Sequence, residues 1–292
     1  MVEIIDIAEG AGNEIAGKPI VAALESGAVL RLARPSFVLS EEERGLVARG
    51  MGAGMAKNVS YSQESVTLKG TPAQGAERAL LAGMLARYAD YGVALLREIA
   101  PSYISGLKMG RTSFRPVEIA DRETSWRKDD RRLHVDAFPS TPTGGARILR
   151  LFLNIDQAGR PRCWRVGPEF EAYATRFLPH VPRAWPGAAS LLAALHITKT
   201  RRTRYDQIML GLHDAAKADM GWQANAPARA VDFLPGQAWM AFTDQVPHAA
   251  MSGCNALEQS FYVSPDVLAC PASSPLAVLS RLTGRDLTRP LF

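Results

Sequence analysis

Arg132-Leu-His-Val-Asp-Ala-Phe138 is followed by Pro139-Ser-Thr-Pro-Thr-Gly-Gly145 and then by Arg147-Ile-Leu-Arg-Leu-Phe-Leu-Asn-Ile155. The outer runs read as β-strands, and the Pro- and Gly-rich middle as the turn between them. Further strand patterns lie at 228–233, 237–243 and 257–263, with Pro235-Gly236 as a turn between the first two. A helical interlude separates the two strand groups, with pieces at 170–178, 188–195 and 204–218. Tyr205, Ile208, Met209 and Leu212 form an apolar stripe on the last of these. Toward the N-terminus, 28–32 reads as a short strand. Ser40-Glu-Glu-Glu43 has capping-box spacing and starts a helix at Glu41. Thr71-Pro72 opens a longer helix to about Ala100, with Leu81, Leu85, Tyr88, Leu95 and Ile99 near one face. A short closing helix follows Pro271. The order helices, strands, helices, strands predicts an α+β fold built on an antiparallel barrel or jelly roll rather than an alternating parallel sheet.

The 292 residues are enough to build a real core without a stabilising metal or disulfide. With 47% hydrophobic and 22% charged residues, a mostly disordered chain is excluded. Three widely spaced cysteines, Cys163, Cys254 and Cys270, match no zinc motif and predict reduced thiols in a cytosolic protein. The start carries an acid where a signal peptide needs basic residues, and no apolar run is read as a membrane span. The net charge of +5 suits an acidic ligand, nucleic acid or a membrane surface and does not choose among them. No phosphate-binding glycine loop or dinucleotide fingerprint is present.

His134-Val-Asp136 carries the chemistry. Residues i and i+2 of a strand face the same side, about 6–7 Å apart, so an imidazole and a carboxylate converge there and can share a metal ion. One more histidine would complete a two-histidine, one-carboxylate facial triad, which suits non-haem Fe(II) because positions stay open for a cosubstrate and dioxygen. The candidates are His180, His196, His213 and His248. His180 sits in a Pro-rich loop, and His196 and His213 lie in helical patterns. His248 follows a strand and a turn, late in the chain, where a jelly roll places a third ligand.

These residues and their surroundings resemble the Fe(II)/2-oxoglutarate-dependent dioxygenases, and within them the Kdo hydroxylases. The resemblance runs from about 57 to 263. It rests on Lys57-Asn-Val-Ser-Tyr61, Arg115-Pro-Val-Glu118, Arg127-Lys-Asp-Asp130, Leu133-His-Val-Asp-Ala-Phe-Pro139 and the strand from Arg147 to Ile155. Trp164-Arg-Val-Gly167, Tyr205 to Asp219, Phe242-Thr-Asp-Gln-Val-Pro-His248 and Leu257-Glu-Gln-Ser-Phe261 extend it. It implies a double-stranded β-helix, with an N-terminal mixed and helical lobe over 1–110. The catalytic jelly roll then covers 111–292, with a helical insertion over about 168–220. It also implies iron held by His134, Asp136 and His248, with 2-oxoglutarate and O2 as cosubstrates. The implied reaction is hydroxylation at the 3-position of a Kdo sugar on a lipid A precursor.

Many relatives anchor 2-oxoglutarate with a basic residue about ten positions past the distal histidine and a Ser or Thr two further on. Here those positions hold Glu258 and Ser260. The hydroxyl is present and the cation is missing, so another strand must supply it. Arg150 is favoured, because its guanidinium can grip a carboxylate with two hydrogen bonds. Arg147, on the opposite face of the same strand, is second, and Asn154 can add a polar contact. For the acidic sugar the expected contacts are Arg127 and Lys128, then Arg115 and Lys217. The stretch 172–205 carries six basic residues and no acid, so peripheral contact with an anionic inner leaflet is also expected, and no nucleic acid. Alternatives left open are the same chemistry on another substrate, a cupin-like metal protein of another reaction class, and a non-enzymatic binder of anionic lipid.

Overall fold

The computed structural model describes all residues except 11, 13, 16, 17, 50–57, 121, 122, 184–192 and 290–292. The chain begins with β1 (Ile4–Ile7), a short ribbon of β2 (Glu14–Ile15) and β3 (Lys18–Pro19), α1 (Ile20–Glu25), β4 (Val29–Leu32) and α2 (Glu41–Ala48). Next come β5 (Val59–Ser62), β6 (Thr67–Lys69), α3 (Gly75–Ile99), β7 (Leu107–Arg115), β8 (Arg147–Asn154) and β9 (Arg162–Val166). Helices α4 (Phe170–Phe177), α5 (Arg204–Ala218) and α6 (Met220–Asn225) precede β10 (Arg229–Phe233), β11 (Ala238–Phe242), β12 (His248–Ser252) and β13 (Ala256–Val263). Helix α7 (Pro275–Thr283) closes the chain.

Eight strands form a major sheet in the order β1-β4-β11-β8-β13-β7-β5-β6, and three form a minor sheet, β10-β9-β12. All pairings are antiparallel except β1 with β4. The two sheets face one another as a double-stranded β-helix. An aromatic stack fills the space between them. Phe152 and Phe233 lie nearly parallel to Trp239 at 5.2 and 4.0 Å, and Trp164 meets Phe152 edge-on. Alternation along β8 accounts for this division. Arg150, Phe152 and Asn154 face inward, whereas Leu149, Leu151 and Leu153 join the core beneath α1–α3.

Ser40 caps α2 through a complete capping box with Glu43, as its spacing predicts. Helix α3 starts three residues after Pro72 and buries Leu81, Leu85, Tyr88, Leu95 and Ile99, together with Met84 and Gly92. It is long and apolar enough to cross a membrane by length and composition, which corrects the reading that no segment is. Its apolar stripe packs on the major sheet. Gly92 lets it approach closely: an added Cβ would lie 2.9 Å from the Phe261 ring. Gly92→Val should therefore destabilise the fold by about 1–3 kcal/mol. The check is a lower urea midpoint at unchanged slope.

The strands of the N-terminal stretch sit at both ends of the major sheet, and position 110 falls inside β7. Helices α4 and α5 pack as a separate cluster on the outer side of Leu133 and Val135. The expected helix at 188–195 lies largely outside the described residues. The run 132–138 is corrected from a strand to a single bridge. The His134 amide donates to the His248 carbonyl at 3.0 Å, extending the minor sheet. Two residues on, the Asp136 amide donates to Thr243 O, at the end of β11 in the major sheet. Because the segment crosses from one sheet to the other, it cannot continue either ladder.

Candidate active site

That crossing places the candidate metal ligands. His134 and Asp136 point into the mouth of the sandwich, while Leu133 and Val135 point into the helical cluster. His248 opens β12 directly opposite. One potential ligand atom from each of His134, Asp136 and His248 lies within 4.8 Å of the others, and all three residues are buried. His134 Nε2 lies 3.8 Å from Asp136 Oδ1.

The residues fit a metal ion. His134 Nδ1 lies 2.7 Å from Arg132 O, and His248 Nδ1 lies 2.9 Å from Val246 O. With the proton on each Nδ1 donated to a carbonyl, both Nε2 atoms are left as metal ligands. Burial, reinforced by Lys217 and the neighbouring imidazoles, holds His134 well below the usual histidine range. Burial also lowers His248, against the opposing pull of Asp136. Burial pushes the Asp136 carboxyl up, but Arg150, His248 and a hydrogen bond from Thr243 outweigh it and keep it below the usual range. The set is therefore two neutral imidazoles and one carboxylate, the protonation states a divalent cation requires.

A cleft of about 670 Å³ opens on this cluster, within the range of small-molecule sites. Its inner wall carries Arg150, Phe152, Arg162 and Trp164, and its outer wall comes from the 124–130 segment and α5. Arg150 is buried, with Nη2 at 3.1 Å from Asp136 and Nη1 at 3.2 Å from Glu258. Arg115 also pairs with Glu258, its Nε donating at 2.6 Å. Glu258, which cannot hold an anion itself, thus ties the two arginines together. Ser260 lies on the same sheet face, with its hydroxyl 3.3 Å from Glu258.

The other expected contacts separate clearly. Arg127 lies over Trp126 and pairs with Asp214 at the rim of the cleft, and Lys128 lines the cleft beside it. Lys217 is buried, and its Nζ donates to Arg127 O at 3.0 Å, so it braces this turn from beneath. Two residues do not reach the cleft. Arg147 is fully buried on the opposite sheet face, paired with Asp244 at 2.8 Å and stacked on Phe242. The Asn154 amide donates to Arg160 O and Phe233 O, and its oxygen accepts from the Asp156 amide, which closes the β8–β9 turn. Arg147→Met should cost about 3 kcal/mol by leaving Asp244 unpaired. The 2-oxoglutarate requirement should not change, and denaturation and steady-state kinetics check the two halves.

Sequence reasoning missed Arg162, took Trp164 only as part of a matching stretch, and weighed His213 only as a metal ligand. Trp164 stacks on His248 at 5.0 Å, and His213 on α5 meets His134 edge-on at 5.3 Å. The period-2 pattern of Arg162-Cys-Trp-Arg-Val166 could have placed the first two on one face. Cys254 contacts Asp156 rather than the ligand set, and burial pushes its thiol up to about 11.

A second chamber of about 600 Å³ adjoins the cleft, sharing Asn58, Arg115, Phe138, Pro139 and Arg150 with it. Ser113, Ser260 and Tyr262 form part of its floor.

Residues 10–286 match the family model of 3-deoxy-D-manno-oct-2-ulosonic acid (Kdo) hydroxylase. Among solved structures, the chain is similar to the apo form of the Kdo hydroxylase KdoO, a non-haem Fe(II) 2-oxoglutarate-dependent dioxygenase. The two are 44% identical with a TM-score of 0.92, over 98% of this chain and 97% of that one. The same enzyme in complex with 2-oxoglutarate and Fe(III) is 43% identical with a TM-score of 0.90, at the same coverage. Its complex with succinate and Fe(III) gives 43% and 0.89, again over 98% and 97%. No curated protein matches the chain.

Proposed function

The chain belongs to the Kdo hydroxylase family, and from that premise we infer that it is an Fe(II)- and 2-oxoglutarate-dependent dioxygenase that hydroxylates a Kdo sugar. The observation that carries this is the buried His134, Asp136 and His248 cluster, which opens on an arginine-lined cleft in a chain matched over almost its whole length. The finer reading is hydroxylation at the 3-position of Kdo on a lipid A precursor.

His134, Asp136 and His248 would hold the iron. When bound, iron supplies the oxidation, coupling oxidative decarboxylation of 2-oxoglutarate by dioxygen to insertion of one oxygen atom into a substrate C–H bond. The protein supplies orientation and a dry site. The carbonyls of Arg132 and Val246 fix the two imidazoles, and Trp164 packs against the His248 ring. Arg150 is the proposed anchor for the far carboxylate of 2-oxoglutarate. Arg115, joined to it through Glu258, and Arg162, on the same inner wall, are the next cations of that cleft. Ser260, beside Arg150 in the sheet register, is the hydroxyl expected near that carboxylate. Arg127 and Lys128 at the rim are the proposed contacts of the sugar carboxylate, and Lys217 supports them through Arg127 O.

A lipid-linked substrate supports the reading of a cytoplasmic enzyme that works peripherally at the inner face of the inner membrane. Exposed Leu195 and Ile197, beside Lys199, Arg201 and Arg202, support peripheral contact with an anionic leaflet. Co-sedimentation with anionic vesicles should then fall when salt is raised, and equal recovery with neutral vesicles would contradict it. For the 3-position, NMR of the sugar released from the product should show a new oxygenated carbon at C3. Oxygenation at any other carbon would contradict it.

A further inference from the structure

The second chamber carries positive charge beyond what the proposed 2-oxoglutarate anchor uses. Arg115 and Arg150 line it, but Glu258 engages both, Asp130 and Asp136 lie beside them, and Arg150 with Ser260 is already assigned to 2-oxoglutarate. That leaves Lys108, Arg111 and Lys199 against the single carboxylate of Glu64. Lys108 and Lys199 form no ion pair among the described residues, and Arg111 donates to the Ser60 hydroxyl at 3.1 Å. A bulge puts two of these cations on one face. Thr112 pairs with Gln259 and Met109 with Phe261, so β7 holds one extra residue there. Regular alternation would turn Lys108 and Arg111 to opposite faces. With the extra residue, Lys108 pairs with Tyr262, while Arg111 keeps the face of Ser113, and all four line the chamber. Gly110 makes the bulge fit, since a Cβ there would lie 2.7 Å from Ser260 O.

We propose that this chamber is an oxyanion subsite. It takes a carboxylate or phosphate on the part of the substrate next to the oxidised sugar, and Lys108 and Arg111 are its main contacts. This rests on the Kdo-lipid reading above. A substrate whose target sugar sits at the ligand cluster can pass its neighbouring acidic group over the shared Phe138–Pro139 wall into a region of unspent positive charge. Two sources supply that chemistry, the carboxylate of a second acidic sugar and a phosphate of the lipid-linked core.

The test compares iron-loaded wild type with Lys108→Ala/Arg111→Ala and Arg111→Lys, measuring KM for the lipid-linked substrate and for 2-oxoglutarate. The double variant should raise the lipid-substrate KM about tenfold or more, as expected for lost charge-assisted hydrogen bonds. Arg111→Lys should retain most of the affinity, and the 2-oxoglutarate KM should not move. Substrates lacking either the second sugar or the phosphate assign the source, because the variant effect vanishes on the one that lacks the bound group. Equal KM values in all three proteins, or an effect that persists on both truncated substrates, would overturn the subsite. A readout independent of turnover separates this from failure of the Kdo reading. Zinc-loaded enzyme saturated with 2-oxoglutarate should broaden the 31P line of inorganic phosphate, and the double variant should lose that broadening. Equal broadening, or none in the wild type, overturns the proposal.

Discussion

His134→Ala will reduce iron-dependent succinate formation to background while leaving the fold intact. The two hydrogen bonds that join His134 to His248 are main-chain bonds, so the bridge between the 132–138 segment and β12 survives the substitution. The imidazole goes, and with it one of the three proposed ligands. Loss of an outer partner of a metal ligand costs roughly 10–100-fold in metal affinity or activity, so loss of the ligand itself should exceed that range. The measurement is 2-oxoglutarate-dependent succinate release at saturating Fe(II), with circular dichroism as the control for folding. Retention of more than about a tenth of the activity would remove His134 from the ligand set.

Arg150→Ala should produce the second large effect, in two observables. A charge-assisted hydrogen bond to a carboxylate contributes about 1.5–3 kcal/mol. The KM for 2-oxoglutarate should therefore rise roughly 10–150-fold. Arg150 also balances two buried carboxylates, Asp136 and Glu258, so truncation leaves charge uncompensated and should cost about 3–5 kcal/mol of stability. The sign of the pH dependence follows from Glu258. Burial raises its carboxyl, but Arg115 and Arg150 outweigh this and hold it below the usual range. Its stabilising contribution is thus present above the unfolded carboxylate value and is lost as pH falls through the lower folded value. Removing Arg150 should shrink that contribution and move acid unfolding to higher pH. Arg150→Lys keeps the charge and loses the fork, so it should spare much of the stability while still raising KM. An unchanged KM in both variants would transfer the anchoring role to Arg162 or Arg115.

The strands that were legible in the sequence are those with clean local patterning. Strand β8 was read to within a residue because both its faces are buried and it reads as a near-continuous apolar run. Helix α5 was read to the residue from its apolar stripe. Strand β7 was not, because its bulge and its polar inner face, Arg111, Ser113 and Arg115, hide the period-2 pattern. The buried cluster of His134, Asp136 and His248 was legible because His134-Val-Asp136 is local and His248 stands alone after a strand and turn. The second layer was not, since His213 on α5 reaches His134 only through tertiary packing of the helical cluster on Leu133 and Val135. For the arginines, alternation along β8 correctly set Arg147 and Arg150 on opposite faces. Only the tertiary structure tells that one face is closed core and the other an open cleft.

The central claim is oxygen transfer to Kdo. It is tested most directly by mass spectrometry of purified Kdo-bearing lipid A precursor after incubation with the enzyme, Fe(II), 2-oxoglutarate and ascorbate in air. The expected product carries one additional oxygen atom, located in the Kdo fragment, and is absent when Fe(II) or 2-oxoglutarate is omitted. An unchanged mass while succinate is formed would contradict the claim.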